Sequence, residues 1–160
     1  PFSCHNHCGD TMKDKKNKTA KTQEGKVFFD TNILVYSVDE RDPRKQKIAS
    51  QILNDAAIEK RGIISTQSLQ EFYNTAVKKL NLTKEAAKEY VDLFSKQFPV
   101  TQISIPLILK AIDISIKESL SFWDSLILST ASDTGCILLY SEDMNNSQIV
   151  TGTKIFNPFL

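Results

Sequence analysis

The chain has 160 residues, 41% of them hydrophobic and 24% charged, with a formal net charge of +1, which fits one globular domain whose core folds without covalent staples. No run approaches the ~18–20 apolar residues of a membrane span, and the opening residues carry no apolar secretory segment, so a cytoplasmic protein without membrane contact is expected. The three cysteines, Cys4, Cys8 and Cys136, cannot close into a fully paired disulfide framework, which agrees with a reducing compartment.

The charge is unevenly spread. Residues 1–26 hold six lysines against Asp10, Asp14 and Glu24, net +3, which leaves 14 basic and 16 acidic residues, net −2, in the remainder. Any grip on nucleic acid by the folded part must therefore come from a local basic patch. Phe2 and Met12 are the only large apolar side chains before Val27, so residues 1–26 are read as a flexible basic tail and residues 27–160 as the folded domain. Cys4-His5-Asn6-His7-Cys8 offers metal-ligand residue types. They crowd into one short stretch with no second pair, unlike the spaced pairs of a structural zinc site, and a tail segment is the favoured reading.

From Val27 onward short apolar runs alternate with longer helical patterns, the signature of a parallel sheet covered by helices on both faces. Val27 to Asp30 reads as a buried strand, followed by a brief helix around Ile33 to Val38. Asp42-Pro43 opens a second helix, with Ile48, Ile52 and Ala56 on one face and Gly62 as its expected C-cap. Ile63 to Thr66 is the next strand; helices follow from about Ser68 to Leu80 and from about Thr83 to Phe98, where Pro99 stops the pattern. Val100 to Ile105 alternates as a strand does, and Pro106 introduces a helix with Leu107, Ile108, Ala111, Ile112, Ser115 and Ile116 on its expected inner face. Phe122 to about Ser132 is apolar almost all round and should be buried, with Trp123 read as core beside Phe122. Gly135 ends that helix, Ile137 to Tyr140 forms a strand, and Lys154 to Phe156 a last short one.

Four acids share a placement. Asp30 ends the first strand, Asp143 lies just beyond Tyr140, Glu71 is expected in the first turn of the helix after the second strand, and Asp124 opens the buried helix. The carboxyl ends of the strands line the ligand crevice of an open α/β sheet, so at least three of these positions can face one pocket. Carboxylates gathered there repel one another, and a divalent cation with hard oxygen ligands resolves the conflict; Mg²⁺ or Mn²⁺ suits phosphodiester cleavage. The competing reading is structural. Ser68 to Glu71 and Ser121 to Asp124 both have capping-box spacing, Asp30 can cap the helix after it, and Asp143 can be a turn acid. Spacing alone leaves both readings open.

Val27-Phe28-Phe29-Asp30-Thr31-Asn32-Ile33-Leu34-Val35-Tyr36 resembles the opening motif of the PIN-domain nucleases, and more narrowly of VapC-type toxins. Ser65 to Phe72, Phe122 to Ile127 and Leu139 to Met144 are similar, in order, to the segments carrying the family's second, third and fourth acids, and Ile155 to Phe159 resembles its closing stretch. The resemblance implies a three-layer α/β/α sandwich with a mainly parallel central sheet. It also implies an endoribonuclease in which Asp30, Glu71, Asp124 and Asp143 hold Mg²⁺ or Mn²⁺ directly or through water, with Asn32 and Ser141 supporting the metal or the attacking water. A homodimer, an RNA substrate and a cognate antitoxin are the partners it implies. A housekeeping RNA-processing nuclease and a non-catalytic RNA-binding or interaction module on the same fold are the alternatives. Arg41, Arg44, Lys45, Lys47, Lys78, Lys79, Lys84 and Lys88 are cations expected near the cleft entrance, most of them as solvated helix surface.

Overall fold

The computed structural model describes residues 25–160; the Cys4 to Cys8 cluster and the remainder of the expected tail through residue 24 lie outside the described residues. The apolar run Lys-Val-Phe-Phe forms β1 (Lys26–Phe29), which starts one residue earlier than expected and takes Lys26 out of the tail. Asp30 then caps α1 (Thr31–Val38), and Asp42 caps α2 (Pro43–Ile58) by accepting from the Lys45 amide at 3.0 Å, with proline in the first turn. β2 (Gly62–Ser65) runs into α3 (Thr66–Lys78), whose N-cap is Ser65. α4 (Lys84–Gln97), capped by Thr83, leads through Pro99 to β3 (Val100–Thr101). The remaining elements are α5 (Ile105–Glu118), α6 (Phe122–Asp133), β4 (Cys136–Tyr140), β5 (Ile149–Val150) and β6 (Thr153–Phe156).

The six strands form one sheet in the order β3-β2-β1-β4-β6-β5, parallel throughout except for the antiparallel β5 edge. Side chains alternate across it. Val27, Phe29 and Ile64 pack with Leu34, Leu53, Phe72 and Phe94 from α1 to α4. Phe28, Ile63, Leu139 and Ile155 face the other way, against Ile114 of α5 and Ile127 and Leu128 of α6. The two cores make three layers, helices over both faces of a mostly parallel sheet, as the sequence pattern and the resemblance imply. Phe28 and Phe29 are fully buried on opposite faces, each contributing roughly 2–3 kcal/mol of apolar burial. No helix among the described residues is long and apolar enough to cross a membrane.

Several elements depart from the expectation. Gly62 is not a helix cap: it is the first residue of β2, and a Cβ there would stand 2.6 Å from two carbons of the Phe98 ring and 3.0 Å from Phe29. The left-handed turn after α2 falls instead on Lys60, at φ 54. Gly62→Ala is therefore expected to displace two core aromatics and to destabilise the fold by about 1–3 kcal/mol. A lowered urea midpoint at unchanged slope would show it; an unchanged midpoint would contradict the close approach.

β3 spans only two residues, since residues 102–104 leave the sheet before Ile105 opens α5, and the two-residue β5 carries no signal in the apolar pattern. The expected inner face of α5 is also rotated. Leu107, Ala111 and Ile114 are the buried positions, whereas Ile112 and Ile116 point outward with Ile105 and Leu109. The helix carries two apolar stripes, and α6 takes the narrower one, where the Ser129 hydroxyl donates to the Leu107 carbonyl at 2.9 Å.

Candidate active site

β1 and β4 are neighbours at the centre of the sheet, and chain leaves β1 toward β2 on one side while β4 pairs on the other. This is the switch point at which open α/β sheets present a crevice. The ladder continues past the strands: the Asp30 amide donates to the Tyr140 carbonyl at 3.0 Å, and the Ser141 amide to the Phe156 carbonyl at 3.0 Å. Asp30 and Ser141 are thus placed by backbone pairing, and the Ser141 hydroxyl donates to Asp30 Oδ2 at 2.7 Å.

The cleft that opens there, about 480 Å³, is lined by all four candidate acids. Glu71 accepts from the Thr31 hydroxyl at 2.7 Å and from Gln67 Nε2 at 2.9 Å. Asp143 sits on the irregular segment after β4 and accepts from Asn32 Nδ2 at 3.0 Å, while its own amide donates to Ser141 Oγ at 3.3 Å. Asn32 Oδ1 also accepts from the Glu142 amide at 3.4 Å. Asn32 and Ser141 therefore tie the loop carrying the fourth acid to α1 and Asp30.

The capping alternatives divide. Ser121 does cap α6, accepting from the Asp124 amide at 3.1 Å, and Asp30 Oδ1 accepts from the Thr31 amide at 2.7 Å as the cap of α1. Glu71 caps nothing. Ser65 is the N-cap of α3, so Glu71 lies in the second turn rather than the first, and its carboxylate turns into the cleft.

Six acids line this cleft, and cations account for two of them. Asp39 pairs with Arg41 at 2.8 Å, and Glu142 pairs with Lys45 while also accepting from the Tyr36 hydroxyl. Asp30, Glu71, Asp124 and Asp143 have no cationic partner among the described residues. Asp30 is only 7% exposed. Burial pushes its pKa from the ordinary 3.8 up to about 7, against the hydrogen bonds from Ser141 and Thr31, with the charges of Glu71 and Asp124 adding to the rise. Asp124 is raised in the same way, by burial and then by the charges of Asp143 and Glu71.

The donor set fits a hard divalent cation: carboxylate oxygens at the edge of a polar cleft, with no histidine or thiol among the lining residues. Among the described residues no three acid, histidine or cysteine side chains converge closely enough to clasp an ion by themselves.

Some participants carry no signal in the sequence motifs. Gln67 donates from one amide nitrogen both to Glu71 and, at 3.2 Å, to the Trp123 carbonyl, joining the second acid to the segment of the third; its position one helical turn before Glu71 was the available clue. The Tyr36, Lys45 and Glu142 cluster, with Lys45 Nζ 4.6 Å from the Tyr36 ring centre, joins residues too far apart in sequence for spacing to relate. Of the cations expected at the entrance, Arg41 and Lys79 line the cleft. Lys45 is held by Glu142 and Arg44 by the Phe159 carbonyl. Lys84 and Lys88 line an apolar groove between α3 and α4, and Lys47 one between α2 and α4, and neither groove gathers a cluster of acids. Trp123, expected in the core, is 62% exposed.

A three-layer sheet with an acid-lined crevice at its switch point defines a class of α/β proteins, and within it the chain belongs to the PIN-domain family, whose model matches residues 27–149. No curated protein sequence matches it significantly. Among solved structures it is similar to VapC20 of Mycobacterium tuberculosis, described as a toxin cleaving the sarcin-ricin loop, with a TM-score of 0.60 and 17% identity over 73% of this chain and 89% of that one. A toxin-antitoxin complex from Klebsiella pneumoniae matches with a TM-score of 0.60 and 21% identity over 82% and 97%. DNA-bound VapBC from Salmonella typhimurium matches with a TM-score of 0.61 and 18% identity over 82% and 96%. At these identities the likeness is one of fold.

Proposed function

We infer that this chain is a divalent-metal-dependent endoribonuclease, acting in the cytoplasm as the toxin of a toxin-antitoxin pair. The observation that carries the reading is the charge balance of the cleft. Of six acids, the two that are neutralised leave four, and these are the four that match the PIN-family motifs. Asp30, Glu71, Asp124 and Asp143 would hold Mg²⁺ or Mn²⁺, directly or through water. When bound, such an ion supplies an activated water and neutralises charge on the phosphoryl oxygens. Thr31 and Gln67 fix the Glu71 carboxylate, Ser141 fixes Asp30, and Asn32 fixes Asp143. This shell of donors prevents four like charges from swinging apart when no cation is present.

Support for the toxin reading comes from solved relatives that are themselves toxins or toxin-antitoxin assemblies. A cognate antitoxin covering the acid cleft is accordingly the expected protein partner. A homodimer is supported by the exposed strip Ile105, Leu109, Ile112 and Ile116 along α5, a contiguous apolar face of the kind a second copy buries. RNA is the substrate this reading assigns.

Metal-stripped protein incubated with mixed total RNA should yield discrete fragments on a denaturing gel only after Mg²⁺ or Mn²⁺ is added. Fragments without metal, or none with it across several RNA pools, would defeat the reading.

A further inference from the structure

A bound divalent cation would offset part of the charge of the four carboxylates, but among the described residues few cationic side chains line the cleft to hold an RNA backbone. Arg41 is engaged by Asp39, which leaves Lys79. An interaction that does not depend on opposite charge would add to what the cation and Lys79 supply. Trp123 offers one. It is the sole tryptophan of the chain, the residue is 62% exposed, and it directly precedes Asp124 in the first turn of α6.

Its backbone is tied to the acid site. The Trp123 carbonyl accepts from Gln67, the residue that also holds Glu71, and its ring meets Phe122 edge-on, with centroids 5.1 Å apart at 69°. The indole thus stands at the start of the helix that carries the third acid, and an aromatic ring with only two side-chain torsions orders at small entropic cost when a base stacks on it. Nucleobases stack on aromatic side chains whatever their identity, and the interaction survives next to negative charge because it is not a salt bridge.

We propose that Trp123 stacks an unpaired nucleobase of the RNA next to the acid site. A base inside an A-form duplex is already stacked on both faces and cannot reach the indole. The proposal rests on the nuclease reading for its substrate but not for its test, because binding is read without cleavage.

Since Trp123 is the only tryptophan, intrinsic fluorescence reports this site alone. The full chain, metal-free so that RNA stays intact, is titrated with a single-stranded RNA of about ten nucleotides and with a duplex of the same length. The single strand should quench or shift the emission and the duplex should not. With metal added, Trp123→Ala should raise KM by roughly 5- to 150-fold, the range for loss of one stacked base, with kcat little changed, and Trp123→Phe should recover most of the loss.

Cleavage of single-stranded RNA with emission unmoved and KM unchanged in Trp123→Ala would overturn the stacking role while the nuclease reading stands. Quenching by single-stranded RNA without cleavage under any metal would keep the stacking role and remove the nuclease. Emission that shifts with protein concentration but not with RNA would mean that a second copy covers the ring, and would overturn the proposal.

Discussion

Asp30→Asn is expected to lower RNA cleavage by on the order of a hundredfold to a thousandfold while leaving the fold intact. The substitution keeps the shape of the side chain, and Oδ1 can still accept from the Thr31 amide that opens α1. What it removes is charge at the most buried of the four acids, and it places an amide nitrogen where Ser141 now donates to a carboxylate oxygen. Ser141 must turn to accommodate this. Because the Asp143 amide donates to the same hydroxyl, the fourth acid loses part of its support as well. Fragment yield on a denaturing gel, beside an unchanged circular dichroism spectrum, reads the effect; activity within tenfold of the unaltered chain would mean that Asp30 is only a helix cap.

The second large effect is on stability, and it runs opposite to the usual benefit of a paired carboxylate. Asp30 titrates near 4 in an unfolded chain and at about 7 in the metal-free fold, chiefly because it is buried. Below pH 4 it is protonated in both states and imposes no penalty. As pH rises from 4 to 7 the unfolded chain releases this proton while the folded one retains it. Stability therefore falls across that window, by on the order of 2–4 kcal/mol in total, and levels off above it. Asp124, raised in the same direction, adds to the slope. Thermal unfolding of the metal-free protein from pH 5 to 8 should show the decline, which Asp30→Asn should largely remove and Mn²⁺ should counter by binding the native state. A midpoint that rises with pH over this range would contradict the burial of an unneutralised Asp30.

Much of this arrangement is legible in the sequence because parallel strands buried on both faces read as short apolar runs, and the residues just after them fall at one edge of the sheet. Asp30 and Asp143 follow from that rule alone. Glu71 was harder. Ser68 gives it capping-box spacing, and only the start of α3 at Thr66, set by Ser65 as N-cap, moves it out of the first turn and into the cleft. α5 shows a different limit: periodicity identifies apolar stripes but not which of two the protein buries, so Ile112 and Ile116 were placed inward and lie outward. Trp123 departs from expectation for a related reason, since an aromatic beside an apolar run is usually core and nothing in the run tells that this position faces solvent. Gly62 was read through its commonest use, a helix cap, when its role is to admit the Phe98 ring. Long-range polar clusters such as Tyr36, Lys45 and Glu142 leave no periodic trace at all.

On the proposed function, Asp30, Glu71, Asp124 and Asp143 act together as one cation site. Calorimetric titration of Mn²⁺ into the metal-stripped chain at pH 7, in buffers of different ionisation enthalpy, tests it directly. Saturable binding accompanied by proton release is expected, because burial raises the Asp30 pKa to about 7 and leaves it partly protonated at that pH, with affinity at least about tenfold weaker in Asp30→Asn. Equal affinity in the two proteins, or no saturable binding in either, would contradict it.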